Sequence, residues 1–100
     1  MSYKRSFQDS SYKRSFQDSS YNLLYSRTAL KDIQKLDQVV KKRIRKKIED
    51  YSQNPFSQAK KLSAQIGSFR WRVGNYRIIF DIQGKNILIL RIGHRREIYT

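Results

Sequence analysis

The stretch Phe69-Arg70-Trp71-Arg72-Val73-Gly74-Asn75-Tyr76-Arg77-Ile78-Ile79-Phe80-Asp81-Ile82 decides the fold. Its first five residues alternate apolar and basic, which sends Phe69, Trp71 and Val73 to one face of a strand and Arg70 and Arg72 to the other. Gly74-Asn75 is a two-residue hairpin turn. The chain returns as Tyr76–Ile82, in which Arg77 has the parity of Ile79 and Asp81 and opposes Tyr76, Ile78, Phe80 and Ile82. The hairpin therefore has an apolar face and an arginine face. By this parity Phe69, Trp71, Tyr76 and Phe80 read as core rather than as platforms for stacking bases.

Toward the C-terminus, Gln83-Gly84-Lys85 turns the chain into Asn86–Ile92, a strand apolar enough for the middle of a sheet. Toward the N-terminus, a loop through Gly67 leads back to Asn54-Pro55, which ends a helix because the residue before proline avoids the α region. That helix carries an apolar stripe of Val40, Ile44, Ile48 and Tyr51 and starts at Asp37, a suitable N-cap. Its other face is Lys41, Lys42, Arg43, Arg45, Lys46 and Lys47. Ser26 caps a preceding helix with Ala29, Leu30, Ile33 and Leu36 on its apolar side. Tyr21–Tyr25 suits a short strand. The expectation is an α+β fold, β-α-α-β-β-β. A helical hairpin packs on one face of an antiparallel sheet of about four strands, forming one domain over residues 21–100.

Residues 2–10, SYKRSFQDS, recur residue for residue at 11–19. Two polar copies without helical periodicity cannot build a stacked core, so residues 1–20 read as a disordered tail. A natural extension and a cloning or gene-start artefact are equally compatible with it. Each copy holds one Lys, one Arg and one Asp, so the repeat adds +2 to a formal charge of +14, and residues 21–100 keep +12. The excess of 22 Lys and Arg over 8 Asp and Glu calls for a polyanionic partner. With no cysteine, neither disulfides nor a cysteine-based metal site can form, and a reducing compartment is favoured. The longest apolar run, Ile87–Leu90, is too short for a bilayer, and the N-terminus lacks the apolar stretch of a secretory signal. A cytoplasmic protein without a membrane partner is expected.

One histidine and only two acids in the C-terminal strands, Asp81 and Glu97, leave no set for a two-metal nuclease, so neither metal nor cofactor is expected. The cations form the candidate site. Arg70, Arg72 and Arg77, joined by the terminal Gly93-His94-Arg95-Arg96-Glu97-Ile98-Tyr99-Thr100, would converge on a concave sheet face away from the helices. Guanidinium groups suit phosphate oxygens through paired hydrogen bonds. The helix cations Lys41, Lys42, Arg45 and Lys46 read either as a solvated face or as a surface that docks on RNA without reading sequence.

The runs KKLSAQIGSFRWRVGNYRIIFDI and ILILRIGHRREIYT, at their mutual spacing, resemble the RelE-type toxins of type II toxin–antitoxin pairs, within the RelE/ParE superfamily. The likeness covers residues 21–100. It implies a metal-independent, ribosome-dependent endoribonuclease that cuts messenger RNA through attack of the ribose 2′-hydroxyl and so inhibits translation. It further implies a cognate antitoxin, with operator DNA reached only through the antitoxin complex. By matching positions, Arg70 and Arg72 fall where well-known members carry lysines, Arg77 on the family's phosphate-binding arginine, and Arg95 on the arginine near the leaving group. Tyr99 falls on a C-terminal aromatic. Arginine cannot realistically release its proton, which makes His94 a proton-transfer candidate, since imidazole changes charge near neutral pH. The sequence here ends one residue after Tyr99, and no C-terminal helix is expected. The alternatives are a ParE-like gyrase-inhibiting toxin and a non-catalytic co-repressor bound to its antitoxin.

Overall fold

A computed structural model describes residues 21–62 and 68–98. The elements are β1 (Asn22–Tyr25), α1 (Arg27–Gln34), α2 (Gln38–Tyr51), β2 (Lys60–Lys61), β3 (Phe69–Val73), β4 (Tyr76–Gln83), β5 (Asn86–His94) and α3 (Arg95–Ile98). The expected tail, residues 1–20, and Tyr99 lie outside the described residues.

Both helix starts follow the capping logic. The Ser26 side chain accepts from the amide of Ala29, and Asp37 accepts from that of Val40, each satisfying a first-turn donor that has no partner within its helix. The Gly74-Asn75 turn has positive φ only at Gly74 (60°), which matches a hairpin turn with glycine at its first central position.

The five strands lie in the order β1-β5-β4-β3-β2. Three features differ from the sequence reading. β2 is a fifth strand within the stretch read as a loop; two polar residues offer no alternation to detect. β1 runs parallel to β5, so the sheet is mixed: the helical hairpin carries the chain away from β1, and β5 returns alongside it. The terminal segment forms a single helical turn, α3, where no helix was expected.

The core lies between the sheet and the two long helices. Ala29, Ile44 and Ile48 from the helices pack with Trp71, Val73, Ile78, Phe80, Ile87, Ile89 and Ile92. Trp71 and Phe80 stand ring to ring at 4.0 Å. The fully buried Trp71 donates its indole N–H to the carbonyl of Pro55 at 3.0 Å, so the proline four residues past the end of α2 also satisfies a polar group in the core.

Candidate nucleic-acid interface

The strand register decides which cations share a face. In antiparallel pairs, directly opposed residues lie on the same side of the sheet. Trp71 faces Ile78, which faces Ile92, and all three belong to the core, so this is the helix side. The intervening rows therefore point away from the helices. One is Lys60-Arg70-Ile79-Arg91, apart from the Arg91 guanidinium, which reaches Asp32 of α1, and the other is Arg72-Arg77-Gly93. Arg70, Arg72 and Arg77 thus share the face on which their parity put them.

Their environments differ. Arg77 is buried, at 6% exposure. One of its terminal nitrogens, Nη1, donates to the carbonyls of Gly74 (3.0 Å) and Tyr76 (3.1 Å), so the hairpin turn fixes the guanidinium. Arg72 is exposed and Arg70 half-buried, and Arg70 Nε is buried without a hydrogen-bond partner. Lys60, absent from the sequence reading, stands directly opposite Arg70. Among the described residues, none of Lys60, Arg70 and Arg72 enters an ion pair. Like charges placed directly opposite destabilise a sheet. This face holds two such pairs, Lys60–Arg70 and Arg72–Arg77, in adjacent rows.

The hairpin turn gathers further cations. The amide of Arg95 donates to the carbonyl of Asn75 at 2.8 Å, tying the start of α3 to the turn. From α2, a terminal nitrogen of Arg43 lies 2.7 Å from where a Cβ on Gly74 would be; glycine is required there for its positive φ, while the exposed Arg43 tip could shift aside. Arg43 was read only as part of the helix charge run. Its reach to the turn is a tertiary fact with no local signature. α3 then folds over the arginine face, with Ile98 and Glu97 set against Gly93.

His94 is not brought to the arginine rows. It pairs with Tyr76, on the helix side by register, and the two rings meet edge to face at 5.6 Å. Its Nδ1 accepts from the amide of Arg96 at 3.2 Å, which caps α3 and leaves Nε2 as its remaining ring nitrogen. Of the helix cations, Lys42, Arg45 and Lys46 are exposed and Lys41 is half-buried. They form a surface separate from the sheet rows, on the helical layer. Among the described residues no three of His, Cys, Asp and Glu stand close enough to hold a metal ion. No described helix is long and apolar enough to cross a membrane.

A family model described as the ParE toxin of type II toxin-antitoxin system, parDE, matches residues 23–99. The chain belongs to the RelE/ParE superfamily of toxins. It is 35% identical over 83 residues to Toxin RelE3 of Methanocaldococcus jannaschii, an alignment covering 77% of this chain and 93% of that one. Among solved structures it is similar to the toxin–antitoxin complex RelBE2 of Mycobacterium tuberculosis, with a TM-score of 0.69 and 29% identity over 76% of this chain and 99% of the other. It is also similar to the RelB-RelE antitoxin-toxin complex of Methanococcus jannaschii, with a TM-score of 0.60 and 32% identity over 75% and 93%. The toxin thus has the helix-on-sheet architecture of these relatives, and the arginine rows belong to the sheet side of that fold.

Proposed function

We propose that the toxin is a ribosome-dependent endoribonuclease that cuts messenger RNA in the decoding site, without metal or cofactor, and so arrests translation in the cytoplasm. The observation that carries this reading is the pair of like-charged rows on the sheet, with no acid among the described residues paired to Lys60, Arg70 or Arg72. A face of that kind is stabilised when phosphates occupy it.

In the proposed reaction the 2′-oxygen of a ribose attacks the adjacent phosphorus, the P–O5′ bond breaks, and a 2′,3′-cyclic phosphate and a free 5′-hydroxyl remain. The proton leaving the 2′-hydroxyl is balanced by one delivered to O5′. Arg77, held by the hairpin carbonyls, would stabilise the developing negative charge with Arg72 and Arg70 as oriented donors. Arg95 would act near the leaving oxygen. His94, through Nε2, and Tyr99 are the proposed proton carriers, and His94 must then reach across the end of the sheet. Lys41, Lys42, Arg45 and Lys46 would dock α2 on ribosomal RNA.

The solved relatives are complexes with antitoxins, so a cognate antitoxin, acidic enough to lie on the basic surface, is the proposed protein partner. Operator DNA would be reached only through that complex. The matching family model carries the ParE description, which supports a second reading, inhibition of DNA gyrase without any cleavage. Lys60, Arg70 and Arg72, which enter no ion pair among the described residues, favour the first, because gyrase inhibition does not require a phosphate cradle.

The test is controlled expression followed by primer extension on ribosome-bound messenger RNA. New ends at the decoding site are expected. Intact RNA with DNA-damage signalling would establish the gyrase reading instead. Arg72→Ala is the informative variant: exposed, it should leave the fold intact while removing roughly 2–4 kcal/mol of transition-state stabilisation. Arg77→Ala should lose stability as well as activity, because the guanidinium also holds the turn.

A further inference from the structure

The cations on the sheet are not arranged around a point. From the hairpin turn they run outward as Arg77, Arg72, Arg70 and Lys60, alternating steps across strands with a step along β3. Neighbouring strands are about 5 Å apart, and alternate residues of one strand about 7 Å apart. The series is therefore a diagonal track rather than a cage for one phosphate. Its inner end, Arg77, is buried; beyond it Arg72 is exposed, Arg70 half-buried and Lys60, at the sheet edge, exposed. Asp81 lies on the same side near the track, where its carboxylate accepts from the amide of Ser68 at 2.7 Å and forms no ion pair with Arg70 or Lys60. Lys61 provides a contrast within the same two-residue strand. It faces Phe69, which faces Phe80 of the core, so it projects to the opposite side of the sheet.

We propose that Lys60 is a further substrate-binding residue, which holds the RNA phosphate flanking the one engaged by Arg70 and Arg72, so that the strand crosses the sheet from the Gly74-Asn75 turn to the β2 edge. This rests on the endoribonuclease reading above. A row of cations that ends at an exposed edge fits a chain of phosphates that continues past the reactive one. Lys60 contributes charge and reach without geometric selectivity, as suits a flanking contact. Arginine occupies the three positions nearer the hairpin turn, where paired hydrogen bonds orient the phosphate.

The test uses the full chain, programmed ribosomes and messenger RNAs that carry single uncharged methylphosphonate linkages on either side of the cleaved bond. For the parent toxin, one flanking substitution is expected to slow cleavage about threefold to tenfold, as for loss of one charge-assisted contact at an exposed site. In Lys60→Ala, and in Lys60→Gln, which keeps most of the reach without the charge, cleavage of unmodified RNA falls by a similar factor. The same methylphosphonate then has no further effect. Lys61→Ala should behave as the parent does. The proposal is overturned if Lys60→Ala retains the parent's sensitivity at every linkage, or if Lys61→Ala loses it equally. It also fails if Lys60→Ala weakens only capture by an acidic antitoxin, which would assign the residue to a protein interface. If the parent cuts no RNA on ribosomes, the endoribonuclease reading fails and this inference with it, an outcome distinct from an altered linkage profile.

Discussion

At the scale of single residues, Asp32 is the side chain on which most converges. It is buried, and one carboxylate oxygen accepts both from the amide of Ile92 and from Arg91 Nε, each at 2.9 Å. The position explains it: β1 ends opposite Ile89 while β5 continues to His94, which leaves an edge that side chains must satisfy. Ser26 donates its hydroxyl to the carbonyl of Leu90 on the same edge. Asp32→Asn should therefore lower stability by roughly 1–3 kcal/mol in urea unfolding, toward the lower end because the Arg91 side chain is 39% exposed. The hydrogen bond to Asp32 raises the Arg91 pKa, burial opposes the rise, and attraction to Asp32 and Glu97 adds to it. A raised cationic pKa stabilises the fold below the unfolded value and is lost only as pH rises through the folded one. That window lies above the ordinary arginine range, so Arg91 adds no pH dependence near neutrality. His94 gives a second prediction. Asparagine also caps helix starts well, so His94→Asn should preserve α3, measured by amide exchange at Arg96, while slowing cleavage if His94 moves a proton. Unchanged cleavage would restrict His94 to its capping role.

At the scale of elements, α3 depends on an absence of side chain. A Cβ on Gly93 would stand 3.2 Å from Ile98 Cδ1, tighter than ordinary contact, and 3.4 Å from Glu97 Oε1, so the larger side chain of Gly93→Val should lift the turn from the sheet. The expected readout is faster amide exchange at Arg96–Ile98 with β3–β4 protection retained. Equal loss of protection throughout would show instead that the variant unfolds the domain. This turn also marks where sequence reasoning stopped. The hairpin, both capped helices and the arginine face were legible because each rests on a local period or a local cap. Lys60 was not, since a two-residue strand has no period and its register comes only from its partner. His94 was misplaced beside the arginines because proximity in sequence to Arg95 says nothing about strand parity. One residue of step along β5, from Gly93 to His94, moves a side chain to the other side of the sheet. Arg43 escaped because its partner, Gly74, lies on another element.

At the scale of the whole molecule, the placement of acids leaves Lys60, Arg70 and Arg72 without an ion pair among the described residues. Residues 21–100 contain six acids. Asp32, Asp37 and Asp81 each accept from a backbone amide, of Ile92, Val40 and Ser68 respectively. These carboxylates complete local structure, and none of them forms an ion pair with Arg70, Arg72 or Lys60. The folded part therefore carries much of its +12 as self-repulsion, which lowers the stability of the compact state. A polyanion that binds only the native chain must reverse this by mass action, by about 2.7 kcal/mol at a hundred times its Kd. For a domain of this size that corresponds to a Tm increase on the order of 10 °C. Inorganic polyphosphate should produce such a shift, and sodium chloride at equal ionic strength should produce much less. The double variant Lys60→Glu with Arg72→Glu, both at exposed positions, should melt higher than the parent without polyphosphate and gain far less from its addition. If sodium chloride alone reproduces the shift, or the double variant responds as the parent does, the repulsion is diffuse and the sheet face is not where polyanions bind.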